Sequence, residues 1–90
     1  MVSHMKILDT VGVRVGDNIV YLAVEYDLLT KGYKIIGVEE YPENPIVTRE
    51  PLYEEERIAI EFLEKILEED PEKIHELYGK IIEIEGLVSF

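Results

Sequence analysis

Cysteine is absent from this chain of 90 residues. Its absence excludes a disulfide framework, a thiolate metal site and a cysteine nucleophile. Long apolar runs are absent as well, since none approaches the roughly 20 residues that a helix needs to span a bilayer. No signal-peptide pattern is visible at the start of the sequence, so we expect a cytoplasmic protein.

Nucleophiles and histidines are also scarce. Residues 1–5, MVSHM, resemble an expression-tag remnant, so we expect a single α+β domain over residues 6–90 in which His75 is the one histidine. One histidine without other strong ligands cannot build a zinc site, and neither Ser3 nor Ser89 is placed to form a catalytic pair with it. No glycine-rich phosphate loop precedes a helix. We therefore predict no catalytic, cofactor-binding or metal-binding residue and a protein that is not an enzyme.

Positive charge is in short supply. The chain has 9 basic and 20 acidic residues, which gives a net charge of −11. A surface of this sign repels phosphate groups, so we expect no direct contact with nucleic acid or an anionic membrane, whereas a basic protein partner is favoured. The hydrophobic fraction of 47 % predicts a folded chain despite this charge. The abundance of Glu and Ile is typical of a heat-adapted proteome.

Period-two alternation dominates the first part of the chain. Residues 6–15 alternate polar and apolar side chains, which predicts a half-buried strand. We predict Asp17-Asn18 as the two turn residues that follow, which places Val15 opposite Val20 in the next strand. After that strand, a longer loop is expected to use Gly32 for positive φ. A third strand over 33–41 contains Gly37, which indicates a bulge or a close approach.

The second strand, residues 19–27, is apolar on both faces. Such a strand belongs in the middle of a sheet that is covered on both sides. Helices packed on the face of Val20 would leave Ile19, Tyr21 and Ala23 uncovered. A second copy of the chain is the simplest cover, so we predict a homodimer.

Helical spacing replaces the alternation after the proline-rich middle of the chain. The pattern predicts a helix from near Pro51 to residue 69, with Ile60 widening its apolar stripe. Asp70-Pro71 predicts a stop and restart, followed by a short helix. Gly79 is expected in the left-handed conformation after that helix.

The chain ends with a strand over residues 81–90, whose pairing partner the sequence leaves open between this chain and another. The predicted fold is therefore α+β. It consists of a three-stranded antiparallel meander, then one long and one short helix on one face, then a C-terminal strand, in the order βββααβ.

The segment 39–56, EEYPENPIVTREPLYEEE, joins the two halves. Its three prolines stiffen the chain, so we interpret it as a rigid corner, with residues 46–48 as an optional edge strand. The same corner is a candidate contact surface through Tyr41 and Arg49. The complete set of candidate interface residues is Ile19, Tyr21, Ala23, Tyr41, Arg49 and Ile60.

YPENP at residues 41–45 and the elements expected around it resemble HicB-type antitoxins. In that family a strand ends in an aromatic-Pro-acidic-x-Pro segment, followed by a short strand, a Glu-rich helix and a last strand. The resemblance, over residues 33–90, implies a partial ribonuclease-H-like fold and an acidic protein that silences a small basic toxin. The family's Gly-Cys pair after the second proline is replaced here by Ile46-Val47.

Three functions follow from these observations. The first is a small acidic, non-enzymatic domain that acts by protein association, beginning with itself. The second is a HicB-like inhibitor of a basic protein. The third is a small carboxylate-metal-dependent enzyme, in which Asp9 and Asp27 approach one another at the open end of the first hairpin.

Overall fold

Strands and helices account for most of the described chain. A computed structural model describes residues 6–39, 46–47 and 52–84. The elements, in chain order, are β1 (Lys6–Val15), β2 (Asn18–Asp27), β3 (Gly32–Glu39), β4 (Ile46–Val47), α1 (Glu54–Glu69), a 3-10 helix (Pro71–Lys73), α2 (Ile74–Leu77) and β5 (Ile81–Glu83). The predicted α+β class and the βββααβ order are confirmed, with β4 added. Two predicted features, the tag remnant at 1–5 and the end of the last strand at 85–90, lie outside the described residues.

The strands form one mixed sheet in the order β4-β3-β2-β1-β5. All neighbours are antiparallel except β5, which runs parallel to β1 and places Ile81 opposite Gly12. The last strand therefore pairs within its own chain. Parallel neighbours need a crossover connection, which the helices between β3 and β5 supply. At the other edge Ile46 pairs with Glu39 and Val47 with Val38, so the optional edge strand is present over two residues.

The β1–β2 hairpin differs in register from the prediction. Val15 pairs with Asn18, so Gly16-Asp17 form the turn instead of Asp17-Asn18. Gly16 takes a φ of 65°, a conformation that glycine adopts at no steric cost and that two-residue hairpin turns require. The register moves by two residues, to Val13 opposite Val20, which keeps the same side chains on each face.

The β2–β3 connection is also built differently from the prediction. Lys31, with a φ of 62°, and not Gly32, takes the left-handed conformation. Asp27 stabilises this turn, because its carboxylate accepts the Leu29 N–H at 2.9 Å and its carbonyl accepts the Lys31 N–H at 2.7 Å. The hydrogen bond from Leu29 holds the pKa of Asp27 below its ordinary value.

The predicted irregularity at Gly37 is confirmed as a bulge in β3. Ala23 pairs with Gly37 and Val24 with Ile35, which leaves Ile36 as the extra residue. β3 ends at Glu39, and the predicted continuation to residue 41 lies outside the described residues.

Helix α1 begins at Glu54, three residues after the predicted start. Tyr53 is extended, and its N–H donates to the buried Glu56 carboxylate at 3.0 Å, which satisfies a donor at the helix start. Asp70 precedes the restart as expected, although its side chain makes no capping hydrogen bond. Gly79 has a φ of 77° after α2, as predicted.

The core lies between one face of the sheet and the helices. Its buried members are Val11, Val13, Val20, Leu22, Val24, Val38, Ala59, Leu63, Ile74 and Leu77. They come from alternate positions of β1 and β2, from β3, and from the apolar sides of α1 and α2, as the two periodicities predict. Ile60 packs against this core from α1. No helix in the described ranges is long and apolar enough to cross a membrane.

Candidate functional site

The sheet face that points away from the helices is the candidate functional site, here named the open face. Side chains alternate along each strand, so the register assigns its members. They are Lys6, Leu8, Thr10, Gly12 and Arg14 of β1, Ile19, Tyr21, Ala23, Glu25 and Asp27 of β2, Gly32, Lys34, Gly37 and Glu39 of β3, and Ile81 and Glu83 of β5. This face brings together residues of the three consecutive strands β1, β2 and β3 and residues of β5, which is distant in the sequence.

The centre of the open face is apolar and low in relief. Gly12 has no side chain, and a Cβ placed there would lie 3.0 Å from Ile81 Cγ1 and 3.3 Å from Tyr21 Cε1. Tyr21 and Ile81 therefore pack across the glycine from the two neighbouring strands. Ile81 remains 45 % exposed and Leu8 55 % exposed, although each sits on a regular strand. Large apolar side chains exposed together on a sheet are typical of an interaction surface.

Paired charges border this centre. Lys6 Nζ lies 3.0 Å from Glu25 Oε2, and Arg14 Nε lies 3.5 Å from Glu83 Oε2. The hydrogen bond to Glu25 raises the pKa of Lys6. The open face carries three basic and four acidic residues, so its formal charge is −1.

The helix layer has the opposite character. Helix α1 alone carries seven glutamates and two basic residues. An apolar depression of about 360 Å³ lies beside it, lined by Ile58, Glu61, Phe62, Lys65 and Ile84. Two copies meeting through α1 would bring like charges together, whereas two open faces would not.

The predicted interface residues fall into three groups. Ile19 and Tyr21 lie on the open face and are half-buried, as predicted from the two-faced apolar strand. Ala23 shares their face but is only 1 % exposed, so one chain already covers its side chain and the expected gap there is absent. Ile60 packs against the core on the other side of the sheet. Tyr41 and Arg49 lie outside the described residues.

Ile81 and Leu8 are functional candidates that the sequence pattern did not single out. Ile81 reaches the open face because β5 pairs with Gly12 in parallel, which a strand pattern alone does not specify. Leu8 shares one face of β1 with Thr10 and Gly12, which the alternation already shows. It was not selected because the other residues on that face are mostly polar.

The predicted approach of Asp9 and Asp27 is wrong. Asp27 pairs with Lys6 and Asp9 with Val24, so the two residues belong to opposite faces of the sheet. Asp9 instead accepts the Thr10 N–H at 2.8 Å. Within residues 6–39, 46–47 and 52–84 no group of three or more metal-ligating side chains forms.

An aromatic cluster that the sequence reading missed joins α2 to the sheet. Tyr33 Oη and His75 Nε2 lie 2.9 Å apart, and Tyr26 stacks on Tyr33 with a centroid distance of 4.7 Å. Tyr78 donates its hydroxyl to the Val24 carbonyl at 3.2 Å, and burial raises the pKa of Tyr78. The rings contact one another, so the cluster serves packing. The sequence feature that could have predicted this cluster is the placement of Tyr26 and Tyr33 at opposing positions on either side of the β2–β3 turn.

Comparison with protein-family models, curated proteins and solved structures found no match to the chain. The motif at residues 41–45 that carries the HicB-type resemblance lies outside the described residues. The resemblance therefore stays a prediction.

Proposed function

We propose that this chain is a non-enzymatic domain that acts through protein association, and that its first partner is a second copy of itself bound through the open face. The observation that carries this proposal is the apolar centre formed by Tyr21 and Ile81 over Gly12. The helix layer packs on the other face of the sheet and cannot cover these side chains. They lie together on a regular sheet surface, against which the same surface of a second copy can pack.

The size of the open face sets the expected strength of the contact. Strands of ten residues extend about 33 Å, and three neighbouring strands span about 14 Å, which gives a flat area of about 450 Å² per chain. Two such faces bury about 900 Å² in total, at the low end of specific interfaces. We therefore expect a weak dimer, with a dissociation constant in the micromolar range and not the nanomolar range.

Electrostatics favours this face over the others. The charges on the open face sum to −1, while the whole chain carries −11. Self-association through this nearly balanced surface avoids most of the repulsion that such a net charge creates at short range. Added salt should therefore strengthen the dimer modestly by screening the residual repulsion between the two acidic chains.

Sedimentation equilibrium on matched variants tests the proposal. Ile81→Lys places a charge in the centre of the open face, and we expect it to weaken the dimer at least about tenfold, because a lysine there must be desolvated. Leu29→Lys makes the same chemical change at a loop position that is 71 % exposed and should leave the dimer unchanged. A wild-type chain that stays monomeric at high micromolar concentration would refute self-association. An equal loss in both variants would refute the assignment to the open face.

A second candidate function is the HicB-like inhibition of a basic protein. The observation that favours it is the exposed side of α1, where Glu54, Glu61 and Glu64 face solvent. A small basic protein captured by this surface should dissociate as salt rises, which is opposite to the dimer. Affinity capture at low and high salt tests this, and failure to recover any basic partner at low salt would remove the candidate.

A further inference from the structure

The outer edge of β1 is only partly occupied. β5 pairs with residues 12–14, and just before it the Gly79 N–H donates to the Thr10 carbonyl at 2.7 Å. The Gly12 N–H donates outward to the Lys80 carbonyl at 2.8 Å. Backbone groups alternate sides along a strand, so even-numbered residues of β1 direct their N–H and C=O groups away from β2.

Among residues 6–39, 46–47 and 52–84, no strand pairs with the outward backbone groups of Lys6 and Leu8. We name the outward groups of these two residues the free edge. The free edge ends at Thr10, whose carbonyl is used by Gly79 and whose N–H donates to the Asp9 carboxylate at 2.8 Å.

Apolar side chains flank the free edge on both sides of the sheet. Ile7 is 42 % exposed on the helix side, and Leu8 is exposed on the open face. Proteins usually protect an edge with charge, proline or a bulge. Here Lys6 is turned toward Glu25 of the adjacent strand, and the Asp9 carboxylate accepts the Thr10 N–H of its own strand. The edge thus combines unpaired backbone groups with exposed apolar side chains.

We propose that the free edge pairs with the free edge of a second copy, antiparallel about a two-fold axis perpendicular to the sheet. This contact goes beyond the face-to-face dimer, because it uses other atoms and another axis. A strand edge is self-complementary under such an axis, since each donor of one copy meets an acceptor of the other.

The structure selects one register for this pair. Hydrogen-bonded partners must both direct their groups outward, so even-numbered residues oppose even-numbered ones. Lys6 opposite Lys6 of the second copy would place like charges together. Lys6 opposite Thr10 would need backbone groups that Gly79 and Asp9 already occupy. The remaining register places Lys6 opposite Leu8 in both directions.

In this register the two copies of Ile7 face each other at the axis. They form a non-hydrogen-bonded pair, with Cα atoms about 4.5 Å apart. On the open face, Leu8 of the second copy lies directly opposite Lys6, whose ammonium remains beside Glu25. The two copies of Leu8 lie diagonally, about 8 Å or more apart.

Single-cysteine cross-linking tests this register, and the absence of native cysteine makes the readout unambiguous. Under a mild oxidant such as diamide, Ile7→Cys should form roughly tenfold more disulfide dimer than Leu8→Cys, because only the former falls within disulfide geometry. Leu29→Cys, on an exposed loop, measures random collision. Equal cross-linking of all three variants, or more from Leu8→Cys than from Ile7→Cys, would overturn the proposal.

Two further variants separate this proposal from the open-face dimer. Leu8→Pro removes the outward N–H without removing a β1–β2 hydrogen bond, so cross-linking through Ile7→Cys should fall while the fold persists by circular dichroism. Ile81→Lys should abolish the open-face dimer but leave Ile7→Cys cross-linking intact. Cross-linking that survives Leu8→Pro would refute edge pairing, and cross-linking lost only with Ile81→Lys would show that it depends on the open face.

Discussion

Gly12 is a position where the open face tolerates little added volume. A methyl group at Gly12 would lie 3.0 Å from Ile81 Cγ1 and 3.4 Å from the Lys80 carbonyl oxygen. The first distance is tighter than most real carbon contacts, so Ile81 or the β1–β5 pairing must give way slightly. We therefore expect Gly12→Ala to destabilise the fold by loosening β5.

The magnitude comes from two opposing effects. Overpacking a well-packed site costs about 1–3 kcal/mol. Replacing glycine by alanine in a strand recovers about 0.5–1 kcal/mol of backbone entropy. The expected net cost of Gly12→Ala is about 1 kcal/mol in the free energy of unfolding. Removing the obstructing side chain with Ile81→Ala should bring that cost close to zero or make it favourable, which a double-mutant cycle measures.

Urea denaturation followed by circular dichroism, at one low protein concentration, provides the assay. Two other glycines are controls. Gly32→Ala meets only Thr30 Oγ1 at 3.4 Å in an ordinary conformation, so it should be neutral or stabilising by about 0.5 kcal/mol. Gly16→Ala meets nothing but has positive φ, so it should cost about 1–2 kcal/mol regardless of Ile81. If Gly12→Ala costs the same with and without Ile81, the packing described for the open face is incorrect.

Three further outcomes are expected. Leu63→Ala removes a fully buried core side chain and should lower the free energy of unfolding by about 2–5 kcal/mol in urea titrations, while the exposed Leu29→Ala changes it little. Burial raises the pKa values of Tyr33 and Tyr78 in the folded state. Their contribution to stability is therefore complete below the unfolded pKa of about 10 and is lost as pH rises through the folded pKa. Urea midpoints should fall in that alkaline range, and they should fall less steeply in Tyr78→Phe. Adding Mg²⁺ or Mn²⁺ should leave the melting temperature unchanged, since Asp9 and Asp27 are on opposite faces of the sheet. A rise of several degrees would instead support the hypothesis of a metal-dependent enzyme.

The strand faces were predictable from the sequence, but the register was not. Alternation assigned Val11, Val13 and Val20 to one face correctly, because a shift of two residues leaves the faces unchanged. For the same reason alternation cannot detect such a shift. The register depends on which residues form the turn, and Gly16 was the decisive residue because it accepts positive φ. The error about Asp9 and Asp27 has another origin, since strand parity already places them on opposite faces in either register.

Only part of the candidate site was predictable from the sequence, because local patterns identify some of its residues and the path of the chain decides the others. Ile19 and Tyr21 were identified because β2 is apolar on both faces, which is a local property. Ile81 was not, because its place depends on where the chain returns after two helices, and no local pattern records that. The packing of His75 on Tyr33 also depends on this return path.

The parallel pairing of β5 with β1 has a consequence for the order of folding. It joins Gly12 to Ile81 across most of the chain, whereas β1, β2 and β3 meet through short turns. We therefore expect the meander, which closes small loops, to form early, and β5, which pairs through three residues in the described chain, to dock late. In hydrogen exchange the Gly12 amide, bonded to Lys80, reports the detachment of β5 alone. The amides of Val11 and Val13 face β2, so they should exchange only when the hairpin itself opens. We therefore expect the Gly12 amide to exchange faster than these two neighbours, because detaching β5 costs less free energy than opening the hairpin.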